Sequence, residues 1–312
     1  MTLRSDRAEP LGPAAVPNPA APPDAGPAGS ALPAELVEVG GPADPARSVG
    51  PAGQARAARH AGSAEPAGAA GSAEFARTAD RVRDVLRAAD PEAVWAFGGQ
   101  DGLIADSDDG GGTVHDVGAL FAVLALWPVI GSLVAEEVLR LHTPLTAYGD
   151  EAAAGTPVGT TTHHLLTHPG GRRTAHTAHA ALTRLTEHLG GGPLAELAAT
   201  RIWQPLGMTG TRCTDGGLEA PLADLGRFLG GILGPSGQPV PRAWTAESLR
   251  IRTGELTPAR GLLWRPGPHG TWTYGDTAAV WVAPRPRRWA VLLPAAPRGP
   301  LRAPFREAVF AR

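Results

Sequence analysis

TRIWQPLGMTGT occupies residues 200–211 and carries one charge, Arg201. Pro205 and Gly207 punctuate it. Proline cannot continue a helix, and glycine enters a tight turn without steric cost. The stretch therefore reads as a helix end and a turn packed on a domain. Two more blocks lie upstream. TTHHLLTHPGG (161–171) is a helical turn that runs into a Pro-Gly-Gly corner. DVGALFAVLALWPVIGSLVAEEVLRLHTPL (116–145) opens with a run, 117–135, that has no charge at all.

That run is long enough to raise the question of a membrane span. Pro128, Gly131 and Ser132 interrupt it, its flanks are acidic, and no Lys or Arg anchors either end. A central helix enclosed by other elements is the expectation, because such a helix is apolar all round. Further outward, EFARTADRVRDVLRAAD (74–90) sets Phe75, Ala79, Val82, Val85 and Leu86 on one helical face, and Asp90-Pro91 ends the helix. EAVWAF (92–97) and LIADS (103–107) read as strands joined by a GGQDG turn. RGLLWRP, TAAVWVAP and RRWAVLLP read as three more, and PFREAVFAR as a closing helix. LADLGRFLGGIL (222–233) is an amphipathic helix, with Asp224 expected to serve as an end-cap. Strands near both ends flank a helix-rich middle. The expected fold class is α+β, with one antiparallel sheet assembled from both chain ends and a helical middle subdomain.

Residues 1–73 are rich in Ala, Pro and Gly with scattered charges. Such a stretch cannot bury enough apolar surface to offset chain entropy, so a disordered tail is expected ahead of a domain over 74–312. The formal net charge of -2 gives no field to recruit nucleic acid or an anionic membrane. One cysteine, Cys213, excludes an internal disulfide framework and a cysteine-based zinc site. MTLRSDRAEPLG has no apolar stretch of signal-peptide type, so a cytoplasmic location is expected.

The three blocks resemble, in consistent order from about residue 75 to 312, the class C β-lactamase-related serine hydrolases. That family includes penicillin-binding proteins, D-alanyl-D-alanine carboxypeptidases and esterases. TRIWQPLGMTGT is similar to its Arg-Ile-Trp-x-Pro-Leu-Gly-Met-x-x-Thr, and TTHHLLTHPGG to its Leu-Leu-Thr-His turn. The resemblance implies a β-lactamase/transpeptidase-like fold. It also implies three catalytic motifs, and here the sequence departs from the family.

The first motif is Ser-x-x-Lys at the start of the central helix. One turn of helix puts both side chains on one face, and the lysine activates the serine for acyl transfer. Aligning Trp127-Pro128 puts these positions at Ala119 and Ala122; a register shifted by one gives Leu120 and Val123. All 28 Lys+Arg residues are arginine, so no register supplies the lysine. Arginine stays protonated and cannot replace it as a base. The second motif, Tyr-x-Asn, falls at Thr174-Ala175-His176 and has no tyrosine. The third, Lys-Thr-Gly or His-Thr-Gly on a strand, falls at Trp272-Thr273-Tyr274 and keeps the threonine alone. Tyr148 matches the family's structural tyrosine. Beyond the tail, Ser107, Ser132, Ser236 and Ser248 lie in no Gly-x-Ser-x-Gly motif.

His163, His164, His168, His176, His179 and His188 crowd one region. The pairs 164/168 and 176/179 have spacings that present imidazoles to one metal, so a cluster of His164, His168, His176 and His179 is one option. No Glu lies between 164 and 168, so this is not the zincin motif. His168 occupies the position of the family's structural histidine. No metal and no cofactor are expected. The sequence thus implies a serine-hydrolase homologue without its catalytic apparatus. A remnant cleft at His168, His176, Trp272 and Thr273 would take a small molecule or peptide. The alternative is a hydrolase that uses non-standard residues or a His-bound metal.

Overall fold

Antiparallel pairing brings the two ends of the chain side by side in one sheet. The computed structural model describes residues 67–108, 110–167, 172–253, 259–295 and 301–311, with the backbone alone for 67–70 and 172–175. Its strands are β1 (Val94–Gly99), β2 (Gly102–Asp106), β3 (Val114–Asp116), β4 (Arg212–Thr214) and β5 (Gly217–Pro221). They continue with β6 (Arg265–Pro266), β7 (Trp272–Tyr274), β8 (Ala279–Ala283) and β9 (Arg288–Leu293). The main sheet has the order β2-β1-β9-β8-β7-β6 and is antiparallel throughout; β3-β5-β4 form a small second sheet. The helices are α1 (Ala67–Ala89), α2 (Trp127–Ala135), α3 (Asp150–Ala153), α4 (Thr162–Thr167) and α5 (Arg172–Gly190). The last four are α6 (Leu194–Ala198), α7 (Leu222–Leu233), α8 (Arg242–Ser248) and α9 (Arg302–Phe310).

Both faces of the main sheet are covered. Trp95, Phe97, Trp281, Ala290 and Leu292 pack with α1 and α9, while Ala96, Val280, Val282, Trp289 and Val291 pack into the helical body. Side chains alternate along a strand, so covering both faces requires apolar residues at successive positions. This is why AVWVA and WAVLL read as unbroken apolar runs. The sheet ends on the short edge strand β6, where Pro266 leaves little for another chain to pair with. The α+β class holds, with strands from both ends around a helical middle.

The charge-free run is one helical path in three geometries. A 3-10 turn, Gly118–Leu120, leads into a π-helical turn, Ala122–Leu126, and then α2. Val123, Leu124, Ala125, Trp127, Val129 and Ile130 are fully buried. Trp127 packs on Trp244 and Trp264, with ring centroids 6.0 and 5.7 Å away, and its indole N–H donates to Ser248 Oγ at 2.9 Å. Gly131 fits because a Cβ there would lie 2.3 Å from the Trp244 ring. Among the described residues no helix is long and apolar enough to cross a membrane.

The stretch 200–211 clamps this path. Its first residues continue α6 as a π-helical turn, Ala199–Trp203, and Gly207 takes φ 68° in the turn that follows. The Trp203 indole N–H donates to the Leu124 carbonyl at 2.9 Å, inside the π-helical turn of the central run. At its other end the Asp224 carboxylate, 1% exposed, accepts the Gly210 N–H at 2.8 Å and the Thr211 hydroxyl at 2.9 Å. Arg227 pairs with its second oxygen. The expected end-cap role for Asp224 is thereby corrected. The residue before α7 is Pro221, which makes no side-chain cap, and Asp224 reaches out to the neighbouring loop.

Three further expectations shift. Within 260–266 only Arg265–Pro266 forms a strand. Leu262 and Trp264 turn inward to full burial, Leu263 takes φ 75°, and its N–H bonds the Leu166 carbonyl. Helix α1 begins at Ala67, inside the stretch read as tail; residues 1–66 lie outside the described residues. Tyr148 matches its expected packing place, and its hydroxyl brackets the Arg140 N–H and carbonyl at 2.8 and 3.3 Å.

Asp224→Ala removes a buried acceptor and strands two donors. It should lower stability by about 2–4 kcal/mol in urea unfolding. A loss under about 1 kcal/mol would show that this carboxylate does not hold the loop.

Candidate functional site

A cavity of about 550 Å³ lies where four parts of the fold meet. The start of the central run supplies Ala119, Phe121, Ala122 and Leu126, and α5 supplies His176, His179 and Thr183. The β4–β5 hairpin adds Cys213, Thr214 and Leu218, and β7 adds Tyr274. The volume suits a small organic ligand. Ala119 is exposed to the cavity and Ala122 is 5% exposed beneath it. The two positions aligned with Ser-x-x-Lys therefore lie on its wall and present methyl groups.

Of the other sequence-predicted positions, His176 and Tyr274 line the same cavity, while Trp272 and Thr273 do not. Strand alternation accounts for Thr273, whereas Trp272 shares the face of Tyr274 but is taken up by packing. Thr273 points to the α9 side, where its hydroxyl accepts Arg302 at 3.2 Å. Trp272 packs against the helical core, close above Gly261. The remnant cleft inferred from sequence is thus corrected at Trp272 and Thr273, and Tyr274 takes their place. Thr174 lies in the first turn of α5 with only its backbone described, and His168 lies outside the described residues. His164 belongs to α4, away from the cavity, with Nδ1 facing the Thr161 N–H at 3.3 Å. Among the described residues no group of three or more His, Cys, Asp or Glu is placed to hold a metal ion.

His179, Thr183 and Cys213 are wall residues that the sequence reading did not assign to a cleft. The 176/179 spacing did carry a signal, since residues three apart share a helix face. Cys213 carried none, because a hairpin far along the chain delivers it.

The electrostatics of the cavity point one way. Burial, and then neighbouring His176, hold the His179 pKa below the usual histidine value. Burial pushes the Tyr274 phenol up to about 12; Asp276 adds to this and Arg265 opposes it. Burial also pushes the Cys213 thiol up. A thiol raised in this way is a weak nucleophile. Among the described residues no hydrogen bond joins Cys213, His176, His179 or Tyr274 to another side chain, so no nucleophile–base pair is assembled. Three of the four serines beyond the tail are used elsewhere, and Ser236 is exposed in the loop after α7. Ser132 bonds the Val129 carbonyl at 2.8 Å, Ser248 takes the Trp127 indole, and Ser107 bonds the β1 backbone and Asp108. None of them lines the cavity.

No protein-family model matches the sequence, and no curated protein does. Solved structures do match the fold. A β-lactamase from Mycobacterium bovis superposes with a TM-score of 0.56 at 23% identity, over 70% of this chain and 93% of that one. D-alanine carboxypeptidase AmpC from Burkholderia cenocepacia gives 0.59 at 17% identity, over 77% and 99%. A D-stereospecific amidohydrolase from Streptomyces gives 0.59 at 15%, over 76% and 98%. The chain has the β-lactamase/transpeptidase-like fold, and its structural neighbours are serine hydrolases of that type. Identities this low establish the fold alone, and one fold hosts several chemistries.

Restoring the motif tests the packing of this wall. Ala119→Ser should change stability by less than about 0.5 kcal/mol, because the site is open. Ala122→Lys should cost about 2–4 kcal/mol, because it places an ammonium among apolar groups and, among the described residues, no acid lines the wall to pair with it. Equal stability of the double variant and the parent in urea unfolding would refute the description of this wall as apolar packing.

Proposed function

We propose that this chain is a β-lactamase-related serine hydrolase homologue that has lost hydrolysis and binds a ligand in the remaining cavity. One observation carries the reading. The positions that resemble the nucleophile and its lysine are Ala119 and Ala122, and they stand on the wall of a cavity that has not collapsed. The absence of lysine from the whole sequence supports it, since no neighbouring lysine can act as substitute base. Replacing a buried ion and its partner by small apolar groups is neutral or stabilising in many proteins, so the fold need not suffer when the chemistry goes. In this reading the pocket recognises and does not turn over.

A second reading, hydrolysis through non-standard residues, has one observation in its favour. His176, His179 and Cys213 share the cavity, and a thiol with a histidine base can carry acyl transfer. The raised thiol and the missing hydrogen bond between them place it second.

Turnover separates the two readings. Purified protein should release no product above the buffer rate from a chromogenic cephalosporin or from a panel of aryl esters. Turnover abolished by Cys213→Ala would establish the second reading.

A further inference from the structure

A groove of about 1100 Å³ runs between α1, the end of α9 and the turn that joins β8 to β9. It shares no lining residue with the cavity at Ala119 and Ala122. Four guanidinium groups line it, those of Arg77, Arg81, Arg285 and Arg288, against one carboxylate, Glu74. Among the described residues that is a surplus of three positive charges, in a chain whose formal net charge is -2. The carboxylate of Glu307, beside the groove, is taken by His269 at 2.6 Å and by Arg306 at 3.2 Å.

Arg77 and Arg81 stand four residues apart on α1, so they share a helix face. The aspartates of that helix are used by other arginines: Asp80 by Arg83 at 3.0 Å and Asp84 by Arg87 at 2.8 Å. Arg81 is held by neutral acceptors, the Ala308 carbonyl at 3.1 Å and the Thr78 hydroxyl at 3.0 Å. It thereby covers the partly negative carbonyl end of α9. Arg288 is fixed by Glu74 at 2.6 Å and lies over the Phe75 ring at 5.3 Å. Two guanidinium groups are left over. Arg77 uses only its Nε, on the Ala73 carbonyl at 3.2 Å, and among the described residues Arg285 makes no hydrogen bond or ion pair. Like charges gathered without a counter-ion repel one another, and a bound anion relieves this.

We propose that this groove binds soluble organic phosphates, with Arg77 and Arg285 supplying the free N–H donors and Pro286 and Phe310 an apolar wall for the organic part. Guanidinium is planar and always charged, and its paired N–H groups match the oxygens of a phosphate. A phosphate monoester carries close to two negative charges at neutral pH, which answers the surplus better than the single charge of a carboxylate. The groove is also larger than an inorganic ion fills, which leaves room for an organic body. This site is separate from the cavity, so the inference holds whether or not hydrolysis has been lost.

Phenyl phosphate and benzoate share a ring and differ in charge, and calorimetry on the full chain near neutral pH reads their affinity. Phenyl phosphate should bind with a Kd below about 1 mM, at least about fivefold more tightly than benzoate, and more weakly as salt is added. Arg77→Gln with Arg285→Gln removes both free guanidinium groups and takes no partner from a described carboxylate. It should weaken phenyl phosphate by at least about tenfold and leave the melting temperature of the free protein unchanged. Should that pair fail to fold, Arg285→Gln alone should weaken binding by at least about threefold. Arg140→Gln with Arg242→Gln removes the same charge from exposed positions elsewhere and should change affinity by less than about twofold. Vesicles of phosphatidylcholine with phosphatidic acid present a phosphate monoester on a membrane and should carry down no protein. Equal loss in the two double variants overturns the proposal, as does benzoate binding as tightly as phenyl phosphate. Absence of phenyl phosphate binding at millimolar concentration overturns it too, and protein carried down by the vesicles overturns the assignment to a soluble ligand.

Discussion

A single buried carboxylate, Asp224, joins the parts of this fold that sequence keeps apart. It sits on α7 and takes the N–H of Gly210 and the hydroxyl of Thr211 at the end of the 200–211 stretch. The other end of that stretch is pinned by the Trp203 indole on the Leu124 carbonyl. Leu124 belongs to the π-helical turn of the central run, and α7 lies on the main sheet beside β1 and β2. One short segment therefore fixes the central run relative to the helix that covers the sheet. Both anchors are polar bonds in dry surroundings, where losing either partner leaves a group unsatisfied. Such bonds specify position more sharply than apolar contact does, because they have a direction as well as a distance.

That constraint keeps what holds the fold separate from what lines the cavity. The anchors use Trp203, Gly210, Thr211 and Asp224, and none of these lines the cavity. Positions 119 and 122 face the cavity from the start of the central run, ahead of the tightly packed Trp127–Trp244–Trp264 cluster. Nothing in the clamp needs a serine or a lysine there. Substitution at the wall changes what the cavity can do without loosening what holds it open.

Much of this was legible in the sequence, and the limits have physical causes. Long apolar runs announced β1, β8, β9 and the enclosed central run, since strand burial on both faces and a buried helix both demand apolar residues at consecutive positions. The Pro-Leu-Gly-Met block announced its turn through Pro205 and Gly207. The site was harder to read. Ala119, Ala122 and His176 were placed by counting from landmarks of the family resemblance, and they meet in space. On β7 the sequence pointed to three successive residues; alternation turns Thr273 to Arg302, and of Trp272 and Tyr274, which share the other face, only Tyr274 reaches the cavity. Cys213 and the outward reach of Asp224 depend on contacts between distant segments. No local pattern encodes those.

The central claim is that a hydrolase fold here encloses a cavity with no activated nucleophile. Intact-mass analysis after treatment with a fluorophosphonate probe of reactive serines tests it most directly. The mass should remain that of the unmodified chain after prolonged exposure to excess probe. A stoichiometric adduct on one serine would contradict the claim, because it would show an activated hydroxyl although no described serine lines the cavity.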